Sequence, residues 1–492
     1  MEILNNKPKT NRKFKGIDIY DNNHNKSYYL LPFKFHRDSY GDEVLVNEVG
    51  DYLICENGTV EKIIKRDIKV GSKLYIDLLS NYFISEELIP PYIDIYATRY
   101  RTKKLFLNYF TGLHIFVVSL RCEHTCKYCQ VSRVTQNKDA FDISFETLDK
   151  GIDLMFRSPN PHLTMEFQGG EALLAFDKIK YGVLKALKLS ELVNKKITFV
   201  ICTNLAIIDD EILEFCKEYN ILISTSLDGP KVVHDTNRHK PHASSYDLTI
   251  KGIKKSREIL GHDNVSALMT TTNHSLKFPI EIIDEYITQG FKGIFLRNIS
   301  PYGFALKSKI SQYETESFLD FYKIGLKYII DYNLKGNFFV EDLAKIFLTK
   351  MLTPFGVGYV DLQSPAGLVT GVIVYNYNGE IYATDESRML AEQKDFTFRL
   401  GDVNNSYEEI FFGDKVQKIT EVWANESLTG CSECAFQQYC GADPVHNHAT
   451  QGDMYGYRPD SDFCKKNMSI IEHLFELMKD DKVKRIFESW VN

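Results

Sequence analysis

Residues 114–130 read HIFVVSLRCEHTCKYCQ: an apolar run of strand length, then three cysteines, Cys122, Cys126 and Cys129, spaced CxxxCxxC. The run suits a strand buried on both faces, which leaves the cysteines on a loop just past its C-terminal end. Three thiols are an odd number for a disulfide framework and one short of a closed tetrahedral metal site. They can hold three irons of a cubic 4Fe–4S cluster and leave the fourth iron open to a non-protein ligand. Zinc takes four protein ligands, or three and a water when catalytic. His124, between the first two cysteines, reads as polar filler on so short a loop.

The same run opens a repeat. HLTMEFQ (162–168), KITFVIC (196–202), ILISTS (221–226), NVSALMTT (264–271) and GIFLRN (293–298) alternate with amphipathic helical patterns. That alternation is the mark of βα units on a parallel sheet. Ser144 is placed to cap a helix carrying Leu148, Ile152, Met155 and Phe156 in one stripe. Pro279 suits a first helical turn and Gly290 a stop. Polar groups then follow the strands: the cysteine loop, Gly169-Gly170-Glu171, Thr203-Asn204, Asp228-Gly229 and Arg297. Each alone is an ordinary turn. Five in phase at strand C-termini favour the mouth of a partial βα barrel over the single crevice of a doubly wound sheet.

At 492 residues, two or three domains are expected. With 44% hydrophobic and 25% charged residues the chain reads as soluble and globular, and its net charge of -7 argues against a phosphate-gripping nucleic-acid partner. No apolar run approaches a membrane span, and MEILNNKPKTNRKFKG (1–16) lacks the apolar core of a secretory signal. A cytoplasmic protein with no membrane partner is the expectation. In that reducing setting ten clustered cysteines point to metal or catalysis. Cys55, Cys202 and Cys216 stand alone and read as small buried hydrophobes, Cys216 at helical spacing with Ile212 and Tyr219.

A second set lies near the C-terminus: Cys431, Cys434, Cys440 and Cys464. Four thiols can close a site, and a zinc knuckle and an Fe–S cluster both fit the spacing. His446 and His448 read as part of a loop packed around it. At the other end, residues 28–56 read as short strands broken by DSYGDE and NEVGD turns, followed by helical patterns at TVEKIIKRDI and KLYIDLLSNYFI.

CxxxCxxC after the first strand of a partial βα barrel resembles the radical S-adenosylmethionine (SAM) enzymes. The resemblance implies an open iron that chelates SAM, and an electron transfer that cleaves SAM to a 5′-deoxyadenosyl radical able to abstract a substrate hydrogen. On this likeness Tyr128 packs near the adenine, and Gly169, Gly170 and Glu171 meet the SAM amino group, with Ala172 where the family has proline. Thr203 and Asn204 match the third-strand motif. SLDGPKVVHDTNR (226–238) matches the fourth-strand segment, with Asp228 in it, Arg238 directed at the SAM carboxylate and Ser226 at its ribose side.

The C-terminal set resembles the SPASM extension of radical SAM peptide maturases, which has seven cysteines and two auxiliary clusters. SPAGLVTGVIVYNYNGEIYATDE (364–386) matches its upstream half, but Ser364, Thr384 and Pro444 stand where the family has cysteines. The resemblance therefore implies one auxiliary 4Fe–4S cluster on Cys431, Cys434, Cys440 and Cys464, and none nearer the substrate. Asp385 matches a general base of sulfatase-maturing relatives; it reads equally as a turn residue of a hairpin around Asn378-Gly379.

With LPFKFHR, SALMTTT, MLTPFGVGYVDLQSPAG and CAFQQYCGADPV added, nearly the whole chain is similar to the His-Xaa-Ser system radical SAM maturase family. That implies a precursor peptide substrate with His-Xaa-Ser repeats, a second radical SAM maturase as partner, and an electron donor such as flavodoxin or ferredoxin. The N-terminal piece resembles winged-helix-like modules that bind leader peptides through a strand edge; a barrel-capping subdomain is the plainer reading. The expected organisation is α/β: residues 1–105 an N-terminal α+β region, 106–310 a radical SAM partial barrel, 311–492 a helical linker with a SPASM-like cluster-binding extension. Two other readings are a sulfatase-type maturase oxidising Ser or Cys of a protein, and a non-catalytic zinc-binding scaffold.

Overall fold

The computed structural model describes residues 28–87, 90–129, 137–303 and 313–492. Residues 1–16, on which the reading about a secretory signal rests, lie outside that range, as does Gln130. The chain divides into two compact units, Met1–Thr98 and Arg99–Asn492.

In the first unit, β1 (Tyr29–Leu30) pairs with β5 (Ile84–Ser85), and β2 (Phe33–Arg37), β3 (Glu43–Asn47) and β4 (Tyr52–Cys55) form an antiparallel meander. Its turns fall at the expected places, with Gly41 and Gly50 at positive φ. Helices Thr59–Lys65 and Lys73–Ser80 cover one face and enclose Leu45, Ile63, Leu78 and Phe83. The buried carboxylate of Glu43 accepts from the Val60 N–H at the start of the first helix and from Arg37. Cys55 is half-buried here rather than wholly enclosed.

The second unit is built on one eight-stranded sheet. β6 (Leu113–Ser119), β7 (His162–Gly169), β8 (Lys196–Thr203), β9 (Leu222–Ser226) and β10 (Val265–Leu268) run parallel in chain order. On the other side of β6 the sheet continues through β13 (Val372–Tyr375), parallel to it, and then antiparallel β14 (Glu380–Tyr382) and β15 (Arg399–Asp402). Register explains the order. Tyr375, Phe116, Phe167, Ile201, Ile223 and Val265 stand side by side, one per strand, all buried. Helices Phe145–Phe156 and Phe176–Val193 lie over this row and contribute Leu148, Ile152, Ile179 and Val183 to the same core. Each such side chain contributes about 1.5–3 kcal/mol by leaving water.

Two differences from the sequence reading have physical causes. First, the strands after β6 are not buried on both faces. β7 and β9 alternate, with Thr164, Glu166 and Gln168 of β7 half-buried on the inner side. That side is the polar wall of the open barrel, so within this sheet β6 and β13 carry the near-unbroken burial that both faces covered would give. Second, the sixth run does not extend the sheet. β11 (Gly293–Ile294) pairs instead with β12 (Val340–Glu341), and Thr271 reaches it by a single backbone hydrogen bond to Arg297. The buried carboxylate of Glu341 holds that diversion, accepting from the Leu296, Leu343 and Ala344 N–H groups and from Tyr322 Oη at 2.6 Å.

Replacing Glu341 with Ala strands those donors. The expected loss is about 3 kcal/mol or more, read as a lower midpoint in chemical denaturation, while Glu341→Gln retains much of the stability.

Candidate functional site

The rim at the C-terminal end of the parallel strands is fastened at two points. Where β6 ends, Arg121 forms a two-pronged ion pair with Asp142 (2.7 and 2.6 Å) and also donates to the Leu174 carbonyl. Next to it, the turn after β7 lies directly on the cysteine loop. Gly170 N–H donates to Ser119 O (2.8 Å) and Glu171 N–H to Arg121 O (2.7 Å). A Cβ on Gly169 would sit 2.2 Å from Ser119 O, and one on Gly170 2.5 Å from Arg121 O. Backbone contact this close admits only glycine.

Glu171 continues the fastening to β8. Its buried carboxylate accepts from Leu173 N–H (3.0 Å), Thr203 Oγ1 (2.6 Å) and Asn204 N–H (2.8 Å). Burial, then the nearby Glu123, push its carboxyl up to about 7. Asn204 Nδ2 in turn donates to Glu123 (2.9 Å). His124 is enclosed, with Nδ1 hydrogen-bonded to Glu123 (2.9 Å) and Nε2 to Ser245 Oγ (2.8 Å). Among the described residues Cys122, Glu123 and His124 do bring three ligand atoms within 4.8 Å of one another. Both imidazole nitrogens are already engaged, so His124 acts as the filler its position suggested.

The opposite wall is organised by Asp228, fully buried at the end of β9 just past Ser226. It accepts from Tyr128 Oη (2.8 Å), Arg238 Nε (3.1 Å), Asn237 Nδ2 (3.2 Å) and Thr270 N–H (3.4 Å). The Arg238 guanidinium lies 5.3 Å over the Tyr128 ring. The cysteine loop docks on the same segment, Thr125 N–H donating to His239 O and Lys127 N–H to Asn237 O. Asp228 and Glu171 thus hold their neighbours from behind, while Tyr128, Arg238, Ser226 and the glycine turn make the wall itself.

The three thiols suit a cluster by donor chemistry. Thiolates alone are soft ligands that select zinc or Fe–S, and His124 N–H already donates to Cys122 Sγ at 3.4 Å. Among the described residues no three cysteine sulfurs come within 4.8 Å of one another. A tetrahedral zinc site would need sulfurs only ~3.8 Å apart.

The second set also converges. Cys431 and Cys434 share a turn, Cys440 follows, and Cys464 lies in the first turn of helix Asp462–Leu477, its N–H capped by Ser461 Oγ. Burial, then the other three thiols, push Cys464 up to about 12. Asn467 Nδ2 reaches Cys440 Sγ at 3.8 Å, and buried Lys350 donates to the Cys440 and Leu362 carbonyls at 2.6 Å. The three positions where the resemblance leads one to look for further cysteines have other employment. Ser364 Oγ bonds Glu426 and accepts from Asn425 N–H, while Lys104 reaches Ser364 O. Thr384 and Ser387 form a capping box at helix Asp385–Ala391. Pro444 opens helix Pro444–Gln451, capped by Asp443. His446 and His448 lie in that helix rather than in a loop around the cysteines, and His448 Nε2 pairs with Asp395 at 2.7 Å.

Asp385 therefore begins a helix and is not a turn residue of the β13–β14 hairpin. Its charge adds to burial in pushing up Glu386 and Asp361 on one side and Glu166 and Cys202 on the other. It stands between the barrel lumen, where half-buried Cys202 donates to Glu166 (3.4 Å), and a cavity lined by Asp361, Glu386 and Asp443. Sequence reasoning missed Glu166, Asp361, Glu386, Asp443 and the buried Arg388, which feels the charge of Cys129. Only Glu166 carried a signal, as a carboxylate at an inward position of an alternating strand.

Asp228→Ala leaves Arg238 and Tyr128 without their shared acceptor. We expect a loss of about 3–5 kcal/mol, seen as a fall in Tm of roughly 5 °C or more, against no change for exposed Glu214→Gln.

Residues 116–284 match the family model of the radical SAM superfamily. An uncharacterized protein of Methanothermobacter thermautotrophicus is 30% identical over 181 residues, which are 36% of this chain and 65% of that protein, so the chain spans just under two thirds of it. A cysteine-type anaerobic sulfatase-maturating enzyme of Clostridium perfringens is 22% identical over 351 residues, 66% of this chain and 89% of the enzyme. Among solved structures, Streptococcus suis SuiB bound to precursor peptide SuiA aligns with a TM-score of 0.52 at 16% identity, covering 89% of this chain and all of that one. The chain thus carries a radical SAM domain, with the α/β fold of a partial barrel, and has relatives among the sulfatase maturases.

Proposed function

We propose that the protein is a cytoplasmic radical SAM enzyme that modifies a ribosomal precursor peptide, one with His-Xaa-Ser repeats. The observation that carries this reading is the docking of the cysteine loop on both sides, by the Gly169–Glu171 turn and by the Asp228 network. Cys122, Cys126 and Cys129 would hold a 4Fe–4S cluster. Tyr128, Gly169, Gly170, Thr203, Asn204, Ser226 and Arg238 would meet SAM, with Glu171 and Asp228 fixing them. When bound, the cluster and SAM supply the hydrogen-abstracting radical, chemistry the cofactor performs and the protein positions.

The chain's own residues orient and exclude. The glycine turn lets backbone N–H and C=O groups face the rim without side chains between, and buried Tyr128 and Asp228 keep water from the wall behind. Asp385, between lumen and cavity, would take a proton from the substrate. Cys431, Cys434, Cys440 and Cys464 would hold one auxiliary 4Fe–4S cluster that passes electrons. A flavodoxin or ferredoxin would supply them, and a second radical SAM maturase would act on the same peptide. The peptide substrate is supported by SuiB, whose structure contains its precursor peptide. A sulfatase-type maturase is the second reading, favoured by the relative that aligns over 66% of this chain; the occupied positions of Ser364, Thr384 and Pro444 weigh against it.

Anaerobically reconstituted protein should contain ~8 irons per chain, falling to ~4 when Cys122, Cys126 and Cys129 are replaced with Ala; ~12 irons would contradict the single auxiliary cluster. Incubation with SAM, a reductant and the neighbouring precursor peptide should release deoxyadenosine and change the peptide mass. A mass change on a sulfatase-derived peptide instead would select the second reading, and no SAM cleavage by the reduced protein would overturn both.

A further inference from the structure

The cavity beside Asp385 has a volume of about 440 Å³, the size of a ligand pocket rather than a packing defect. Its walls bring together Asp361, Glu386, Asp443, Arg297, Lys466 and His446. The reaction described above uses none of these. Glu314 and Asp462 also line it, so the charges do not balance: five carboxylates face two cations. Lys466 and Arg297 act on Asp361 only at longer range, and their nearest contacts lie elsewhere. Arg297 is nearest Glu386, at 3.8 Å, and Lys466 donates to Asn298 Oδ1 at 2.9 Å. Among the described residues neither Asp361 nor Asp443 makes an ion pair.

Two further observations point to an absent partner. His446 Nε2 is buried on this wall with no hydrogen bond among the described residues, and such a group costs stability unless something meets it. The carboxylates also lie too far apart to serve as a ready metal cage, since no three of their oxygens come within 4.8 Å of one another. An organic cation, which spreads its charge and donates several hydrogen bonds, suits that spacing better. Phe318 and Phe463 line the same space and offer apolar surface for the methylene stem of a long basic side chain. Burial pushes both carboxyls up, with the charge of Asp385 adding to it at Asp361 and that of Asp361 at Asp443, which reaches about 7.

We propose that this cavity is a specificity subsite for a positively charged side chain of the peptide substrate, a guanidinium or ammonium held by Asp361 and Asp443, with His446 Nε2 as a further acceptor. This rests on the reading of the chain as a peptide-modifying enzyme. It adds a second anchor for the peptide beside Asp385. Asp443 can be neutralised without unfolding its helix, because Asn caps as well as Asp.

The test uses the full chain and two acetylated tripeptide amides, Gly-Arg-Gly and Gly-citrulline-Gly, alike in shape and different in charge. Titration calorimetry should give a Kd at least ~10-fold lower for the arginine peptide. The preference should fall to within about twofold in both Asp361→Asn and Asp443→Asn. Equal affinities in the unaltered protein, or a preference that persists in both variants, would overturn the subsite, and the first comparison needs no variant to fold. SAM cleavage is scored in parallel: its absence removes the enzyme reading, whereas cleavage with equal Kd values removes the subsite alone.

Discussion

The site depends on one close contact, the turn after β7 pressed onto the backbone of the cysteine loop. With Gly169 and Gly170 in place, Ser119 O and Arg121 O each take an N–H from that turn. Glu171 can then bury its carboxylate and tie β8 in through Thr203 and Asn204. Any side chain at either glycine would force the two strand ends apart by about an ångström and loosen the turn that seats Glu171. Asp228 repeats the device on the far wall. Two buried carboxylates, each saturated by donors, let a loop of nine residues carry three thiols in a fixed setting.

Much of this could be read from the residues in advance, and the reason is local chemistry. Strand runs, the Ser144 cap, the Pro279 start, the hairpin at Asn378-Gly379 and both cysteine sets are short-range signals. Long-range pairing was not legible. That β13 would join the sheet beside β6, more than 250 residues away, follows from matching a buried Tyr375 to Phe116, and no local pattern announces it. Likewise β11 leaves the sheet because Glu341, far along the chain, caps it from the side. The site residues split in the same way. Glu171 and Asp228 were visible as strand-end carboxylates, but whether a carboxylate faces a ligand or its own backbone depends on neighbours that the sequence does not display.

The C-terminal region holds the three positions at which the resemblance leads one to look for further cysteines. Ser364, Thr384 and Pro444 hold a hydrogen-bond network, a helix cap and a helix start. Asp385 and Asp443, each beside one of those positions, border the charged cavity.

The central claim is that one cysteine set is open and reactive while the other is closed. Electron paramagnetic resonance of the dithionite-reduced protein, with and without SAM, tests it most directly. The account predicts two overlapping cluster signals, of which one shifts on addition of SAM and disappears when Cys122, Cys126 and Cys129 are replaced with Ala. A spectrum indifferent to SAM, or one whose SAM-sensitive signal survives that replacement, would contradict it.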